Sequence, residues 1–317
     1  MQKQFNTSPR PLSSKRGVNI LKLFIKIIVT SVCLWYVSKK IDWSLTWQLL
    51  QQSNKWWLIA ATFLFILSKM VSSYRLNIYF KNIGVHLSEN SNLKLYWLGM
   101  FYNLFLPGGI GGDAYKVILL NRNKKQSAKL LGAAVLLDRV SGVIGLAILA
   151  AVYFALASTQ KSYSTSVLAA VVPSLAIYYF FIKKIFPSFI NVFVSTLLLG
   201  LLVQILQVLC AYCIMLSIQI TQHQSAYIFI FLLSSIVAIL PFTIGGLGAR
   251  EVVFLWGSNL FFLDRQQSIY ISILFYLITV LVSFVGLRWS LTPQNFVQKE
   301  DLTKAPSHRE GGQIHSN

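Results

Sequence analysis

The chain has 317 residues, of which 55% are hydrophobic and only 12% are charged. A soluble domain usually carries about 25% charged residues, so this composition cannot coat a water-exposed surface and predicts an all-α polytopic membrane protein. The net charge of +19 does not indicate nucleic-acid binding, because the Lys and Arg residues lie in short loops between apolar runs and not on one polar face.

Six apolar runs are long enough to span a bilayer, since a membrane helix needs about 20 mostly apolar residues. In chain order they are 19–38, 56–74, 129–157, 166–182, 191–218 and 267–288. The first run shows no small-residue cleavage site, so we expect it to be retained as an anchor.

Two further apolar stretches, 93–120 and 226–263, are interrupted by turns rich in proline and glycine. The turn residues are Pro107, Gly108, Gly109, Gly111 and Gly112 in the first stretch, and Pro241, Gly245, Gly246 and Gly248 in the second. Each interruption leaves two pieces too short to span, which predicts a hairpin that enters the membrane and returns to the same side. Hydropathy would also be satisfied by two more full spans, which gives up to eight hydrophobic segments.

The distribution of basic residues favours the hairpins. With the N-terminus in the cytoplasm, six spans and two hairpins place most Lys and Arg residues on the cytoplasmic side, including the loop at 122–129. Both termini are then cytoplasmic. Polar composition predicts disordered tails at 1–16 and 291–317, flanking one transmembrane domain at 17–290.

The two interrupted stretches resemble each other. Leu106-Pro107-x-x-Ile110-Gly111-Gly112 matches Leu240-Pro241-x-x-Ile244-Gly245-Gly246. Three spans separate equivalent points, so the second half, about 166–290, is predicted to be inverted relative to the first, about 17–157. Inverted repeats with broken helices near the midplane are typical of transporters.

Three of the nine acidic residues, Asp113, Asp138 and Glu251, fall within or beside the predicted membrane region. A charge at the bilayer centre costs about 2.5–3.5 kcal/mol, so each should be paired or face a cavity. Asp138 and Arg139 point about 100° apart on a helix and cannot pair with each other, so we expect partners from the hairpins. Asp138 is consistent with a substrate path or with a structural ion pair, whereas the guanidinium of Arg139 can bind phosphate in a bidentate manner.

Several basic residues also lie at membrane depth. Lys116 and Arg250 each follow a glycine loop, where the N-terminus of a helix offers an anion site, although tight turns alone would explain the glycines. Lys69 lies deep in the second span, and Arg75, near its end, is expected to extend to the interface. Cys210 and Cys213 have the spacing of a redox or metal motif, but no His or second Cys pair accompanies them, and the four His show no ligand spacing. We therefore expect no metal and no other cofactor.

At Leu106–Lys116, Leu137–Gly142 and Pro241–Glu251 the chain resembles the lysylphosphatidylglycerol synthase transmembrane family, over about residues 17–290. The most specific match is Pro-x-Thr-x-Gly-Gly-Leu-Gly-x-Arg-Glu at 241–251. Lys116 stands where an arginine is common in the family, and Leu76 stands where a tryptophan is frequent.

The resemblance implies a flippase-like domain of the bacterial inner membrane that moves phospholipids, or lipids with modified head groups, between leaflets. The synthases of the family carry aminoacyl transfer in an additional cytosolic domain. Since this chain ends soon after Arg288, we expect no such domain and no enzymatic activity.

The working hypothesis is therefore a lipid translocator with a polar midplane cavity. An anionic head group would be held by Arg139, Arg250, Lys116 and Lys69; Asp138, Asp113 and Glu251 would hold these cations in place or accept a cationic modification. The alternative is a membrane-embedded accessory subunit or enzyme of lipid-linked glycan or glycerolipid synthesis. The expected partners are membrane lipids, with a membrane synthase or a second copy of the chain as candidate protein partners.

Overall fold

The computed structural model describes residues 43–105, 110–121, 126–158, 160–240, 246 and 248–290, together with Ile28, Ser31, Trp35 and Lys39. Within these residues the protein consists of helices and turns, without β-strands. The expected first span, 19–38, lies outside the described residues except at three isolated positions, and so do both expected tails.

Eleven α-helices follow one another in the described part of the chain. They are α1 (Trp43–Gln52), α2 (Lys55–Asn82), α3 (Glu89–Phe105), α4 (Gly111–Asn121), α5 (Ala128–Ala157), α6 (Lys161–Ile185), α7 (Phe193–Ser217), α8 (Gln224–Ile239), α9 (Ala249–Leu260), α10 (Arg265–Phe284) and α11 (Leu287–Ser290). A 3₁₀ turn at Pro187–Val192 joins α6 to α7.

Within the residues that the structure describes, five helical segments are long and apolar enough to cross a membrane. They are Lys55–Asn82, Ala128–Ala157, Lys161–Ile185, Pro187–Ser217 and Arg265–Ser290. The protein is therefore an all-α, multi-pass membrane protein, as the composition predicts.

Helix α2 continues to Asn82, beyond the expected end of its span at residue 74. Its last three turns carry Ser72, Ser73, Arg75 and Asn77, all of which are buried against neighbouring helices. These polar residues lower the local hydropathy although they face protein and not water. The expectation that the span ends at residue 74 is therefore wrong.

The two interrupted stretches each form a pair of short helices. Helix α4 has 11 residues and α9 has 12, which at 1.5 Å per residue makes each about 17–18 Å long. This is too short to cross a hydrocarbon core of about 30 Å. Helix α4 packs against α3, and α9 against α8, as in a hairpin that re-enters. Five turn residues (Pro107, Gly108, Gly109, Pro241 and Gly245) lie outside the described residues.

The packing relates the two halves of the chain. The most extensive helix packing is between α2 and α7, which are the second spans of the expected halves. Helix α5 packs against the second hairpin through α8, and α10 packs against the first hairpin through α3. Each half thus places its last long helix against the pair of short helices of the other half, so the two halves repeat the same packing.

Small residues allow the central helices to approach closely. A Cβ at Gly200 on α7 would lie 2.8 Å from the Ser141 carbonyl oxygen on α5, and a Cβ at Gly145 would lie 3.1 Å from the Gly200 carbonyl carbon and oxygen. Membrane helices commonly use such small residues at tight crossings. This crossing lies directly beside the charged groups described next.

Candidate functional site: a charged cavity between the two halves

A cavity of about 320 Å³ lies between the two halves of the protein. Side chains of α2, α3, α5, α7, α8 and α10 line it, together with Gly246 and the first turn of α9. Its charged lining residues are Lys69, Arg75, Asp138, Arg139 and Arg250. Four cations and one carboxylate therefore line this cavity, together with apolar side chains.

Arg75 and Asp138 form a buried ion pair across α2 and α5. The Arg75 Nε lies 2.7 Å from Asp138 Oδ1, and the two residues are only 4% and 7% exposed. The expectation that Arg75 extends to the membrane interface is wrong. Desolvation of a guanidinium is costly unless a carboxylate compensates it, and Asp138 supplies that carboxylate from inside the protein.

Asp113 connects the first hairpin to α5. One carboxylate oxygen accepts a hydrogen bond from Lys116 Nζ at 3.0 Å, and the other is paired with Arg139 Nε. Lys116 is buried and lies over the Tyr96 ring, 4.5 Å from its centroid. Asp113 and Lys116 do not line the cavity themselves. Asp113 holds the guanidinium of Arg139 at the cavity wall, and Lys116 pairs with the other oxygen of Asp113.

Lys69 and Arg250 have aromatic neighbours instead of carboxylate partners. The Lys69 Nζ lies 4.4 Å from the centroid of the Phe65 ring. The Arg250 guanidinium carbon lies 4.8 Å from the centroid of the Phe275 ring, and its Nη1 donates to Ser235 Oγ at 3.3 Å. Among the residues that the structure describes, neither cation forms an ion pair.

Glu251 closes the N-terminus of α9. Its carboxylate accepts hydrogen bonds from the Gly248 backbone N–H at 2.8 Å and from Ser272 Oγ at 2.9 Å. Gly248 has φ +82° and Gly246 has φ +80°, a region that only glycine enters without strain. The carboxylate of the protein itself, and not a ligand, therefore occupies this helix end.

Gly112 has a packing role in the first hairpin. Its N–H donates to Asn103 Oδ1 at 2.8 Å, and an added Cβ would overlap the carbonyl oxygen of Gly99 on α3. Gly111 begins α4 one residue earlier. Close approach of α3 and α4 thus accounts for Gly112.

The expected site residues divide into two groups. Lys69, Asp138, Arg139, Arg250 and Gly246 line the cavity together. Asp113, Lys116, Glu251, Gly111, Gly112 and Gly248 lie outside its lining and support it, through an ion pair, a helix cap or a turn.

The sequence reasoning missed several cavity residues. Arg75 is one of them, and the need of Asp138 for a buried cation was a signal that could have found it. Gln204, whose Nε2 donates to the Gly142 carbonyl at 3.1 Å, and Gln207 are polar lining residues on α7 that no pattern indicated.

In the part of the chain that the structure describes, the side chains form no candidate metal site. No three His, Cys, Asp or Glu side chains there converge on a point where an ion could bind. Cys210 and Cys213, one helical turn apart on α7, are free thiols buried in the apolar core.

Comparison with known proteins identifies the family of this chain. The search of curated proteins gave no match. A family model described as "Lysylphosphatidylglycerol synthase TM region" matches residues 23–286, which include every helix from α1 to α10. This family ties the chain to a role concerned with membrane lipid. Since the match covers most of the chain, the protein belongs to the lysylphosphatidylglycerol synthase TM region family.

Proposed function

We propose that this protein moves lipids between the two leaflets of the bacterial inner membrane by passing the lipid head group through the central cavity. The observation that carries the proposal is the pair of cavity cations, Lys69 and Arg250, that have no carboxylate partner within the described residues. Uncompensated charge at membrane depth is costly, and such residues mark substrate paths.

The size of the cavity supports a head group as the cargo. About 320 Å³ lies at the lower end of the range of about 300–1,000 Å³ for small-molecule sites. A polar head group fits such a volume, whereas the acyl chains of a lipid do not. The chains would therefore stay in the bilayer while the head group crosses.

The position of the cavity supports movement between leaflets. Its walls come from both halves of the chain, including α3 of the first hairpin and the beginning of α9 in the second. In transporters built from inverted repeats, substrate sites lie at the interface of the repeats near the midplane, and rocking of one half against the other opens the site to each side. The same motion would open this cavity to either leaflet.

We further propose that the protein acts without catalysing a chemical reaction and that both termini are cytoplasmic. The carboxylates near the cavity are engaged: Asp138 and Asp113 by cations, and Glu251 by a helix end. Among the described acids at membrane depth, this leaves none in a position to act as a general base. The excess of Lys and Arg in the loops expected on the cytoplasmic side supports the orientation.

Leaflet exchange in proteoliposomes tests the proposal. The full chain is reconstituted in native lipid extract that contains a head-labelled lipid, and a membrane-impermeant quencher reports the label that reaches the outer leaflet. Wild type is compared with Arg250→Met and with the matched control Arg265→Met, since Arg265 is an exposed arginine outside the cavity.

We expect fast exchange in wild type and in the control, and a rate reduced by about tenfold or more in Arg250→Met, because a lost charge-assisted hydrogen bond is worth about 1.5–3 kcal/mol. Equal exchange in all three proteins would place the path elsewhere. No exchange with any of several head groups would remove the proposal and favour the accessory subunit of lipid-linked synthesis.

A further inference from the structure

We propose that the cavity selects head groups that carry phosphate and a net negative charge, and rejects head groups that an added amine has made cationic. This inference rests on the proposed function and specifies its substrate class. It decides between the two roles that the sequence leaves open for the acidic residues, which are to support the cations or to receive a cationic head group.

The carboxylates are not available to bind an amine. Asp138 faces Arg75 at 2.7 Å, and Asp113 is shared by two cations, of which Lys116 lies at 3.0 Å. Glu251 accepts hydrogen bonds from a backbone N–H and from a serine hydroxyl. An ammonium group at Asp138 or Asp113 would have to displace an existing cation and leave it uncompensated, which is strongly unfavourable. At Glu251 it would displace the hydrogen bonds that cap α9.

Positively charged side chains outnumber carboxylates in the lining of the cavity. The charge of Arg75 is matched by Asp138, and Asp113 matches one of its two neighbours. Lys69 and Arg250 form no ion pair within the described residues, and both line the cavity. Glu251, the third carboxylate, caps α9 instead. Charges interact more strongly in a low-dielectric interior than in water, so the cavity attracts an anion and repels a further ammonium group.

The types and positions of the two cations fit phosphate. Arg250 presents a planar guanidinium, which binds phosphate oxygens in a bidentate manner, and Lys69 presents a compact point charge. Lys69 belongs to α2 in the first half of the chain, and Arg250 belongs to α9 in the second. A phosphate held by both would bridge the two halves, whereas a neutral or cationic group would leave them to repel each other.

Two sources could supply this chemistry: a glycerophospholipid such as phosphatidylglycerol, or a polyprenyl phosphate. Both present phosphate with a net negative charge. The experiment contains one probe for each source.

Binding by the purified full chain in detergent tests the inference. The probes are short-chain phosphatidylglycerol, a polyprenyl phosphate, short-chain phosphatidylethanolamine and an aminoacyl ester of phosphatidylglycerol, and bound lipid is counted by native mass spectrometry. The proteins are wild type, Lys69→Met, Arg250→Met and the control Arg265→Met, which alters an exposed arginine.

In wild type we expect at least one anionic lipid to bind about tenfold or more tightly than phosphatidylethanolamine, and the aminoacyl ester to bind most weakly. Each cavity variant should weaken the anionic lipid by about tenfold and reduce the difference between the lipids. The control should keep the order found for wild type. Whichever anionic probe binds more tightly identifies the source.

The inference is overturned if wild type binds the aminoacyl ester as tightly as the anionic lipids, a result that needs no variant to fold. It is also overturned if the preference persists in both cavity variants. Selective binding without leaflet exchange would remove the proposed function alone. Equal exchange and equal binding of all four lipids would keep the function and remove the selectivity.

Discussion

Removal of the Asp138 carboxylate should destabilise the protein by leaving Arg75 buried without a counter-ion. The Arg75 side chain is 5% exposed and that of Asp138 is 10% exposed, and a single hydrogen bond of 2.7 Å joins them. Within the described residues, the Nη1 of Arg75 has no hydrogen-bond partner, and no other carboxylate forms an ion pair with Arg75. Breaking a buried pair by removing one partner costs about 3–5 kcal/mol.

A double-mutant cycle measures this dependence. Asp138→Ala should lose about 3–5 kcal/mol of unfolding free energy, whereas Arg75→Met with Asp138→Ala should lose less, because removal of both charges leaves no buried ion unpaired. Unfolding is followed by the loss of helical circular dichroism as sodium dodecyl sulfate is added to the protein in mixed micelles.

The exposed pair Lys81–Glu89 provides the control. Its atoms are also 2.7 Å apart, but its side chains are 45% and 51% exposed, so its coupling free energy should be about 0–1 kcal/mol. The reasoning is refuted if Arg75 and Asp138 show a coupling no larger than that of this control pair. It is also refuted if the double variant loses the sum of the two single losses.

Three further predictions concern the supports of the cavity, each checked by the unfolding of purified variants. Gly112→Ala should lower the unfolding free energy by about 1–3 kcal/mol, because the added Cβ overlaps the Gly99 carbonyl. The control Gly132→Ala has open space around the added Cβ and should leave the unfolding free energy unchanged or raise it by up to about 1 kcal/mol. Equal changes in the two variants would contradict the close packing at Gly112. Glu251→Ala removes a helix cap and should cost about 0.5–2 kcal/mol, and an unchanged midpoint would show that the cap contributes nothing. Asp113→Asn removes the carboxylate that two cations share and should lower the unfolding free energy by about 3–5 kcal/mol. A loss below about 1 kcal/mol would contradict this prediction.

The long helices and the two pairs of short helices could be predicted because their signals are local. A run such as 129–157 is long, apolar and continuous, and the helix occupies Ala128–Ala157. The end of α2 could not be predicted in the same way. Arg75 and Asn77 are polar in the sequence but face neighbouring helices, and hydropathy does not distinguish a polar residue that faces protein from one that faces water.

The charged site could be predicted as a set of residues but not as a set of pairs. Its members are ionisable groups at membrane depth, and depth follows from sequence. Partners depend on which helices touch: Asp138 pairs with α2 and not with a hairpin, whereas Arg139 pairs with the first hairpin. The role of Glu251 depends on the left-handed turn at Gly248, which brings a backbone N–H to its carboxylate.

The most direct test of the central claim is to block the cavity and measure leaflet exchange. Gln207→Cys places a thiol at the cavity wall, and Leu202→Cys places one on the outer, exposed side of the same helix. Both are made with the three native cysteines replaced by alanine and are then coupled to a bulky, polar thiol reagent. Complete labelling at residue 207 should stop exchange, while labelling at residue 202 should leave the rate unchanged. Undiminished exchange after complete labelling at residue 207 would contradict passage of the head group through this cavity.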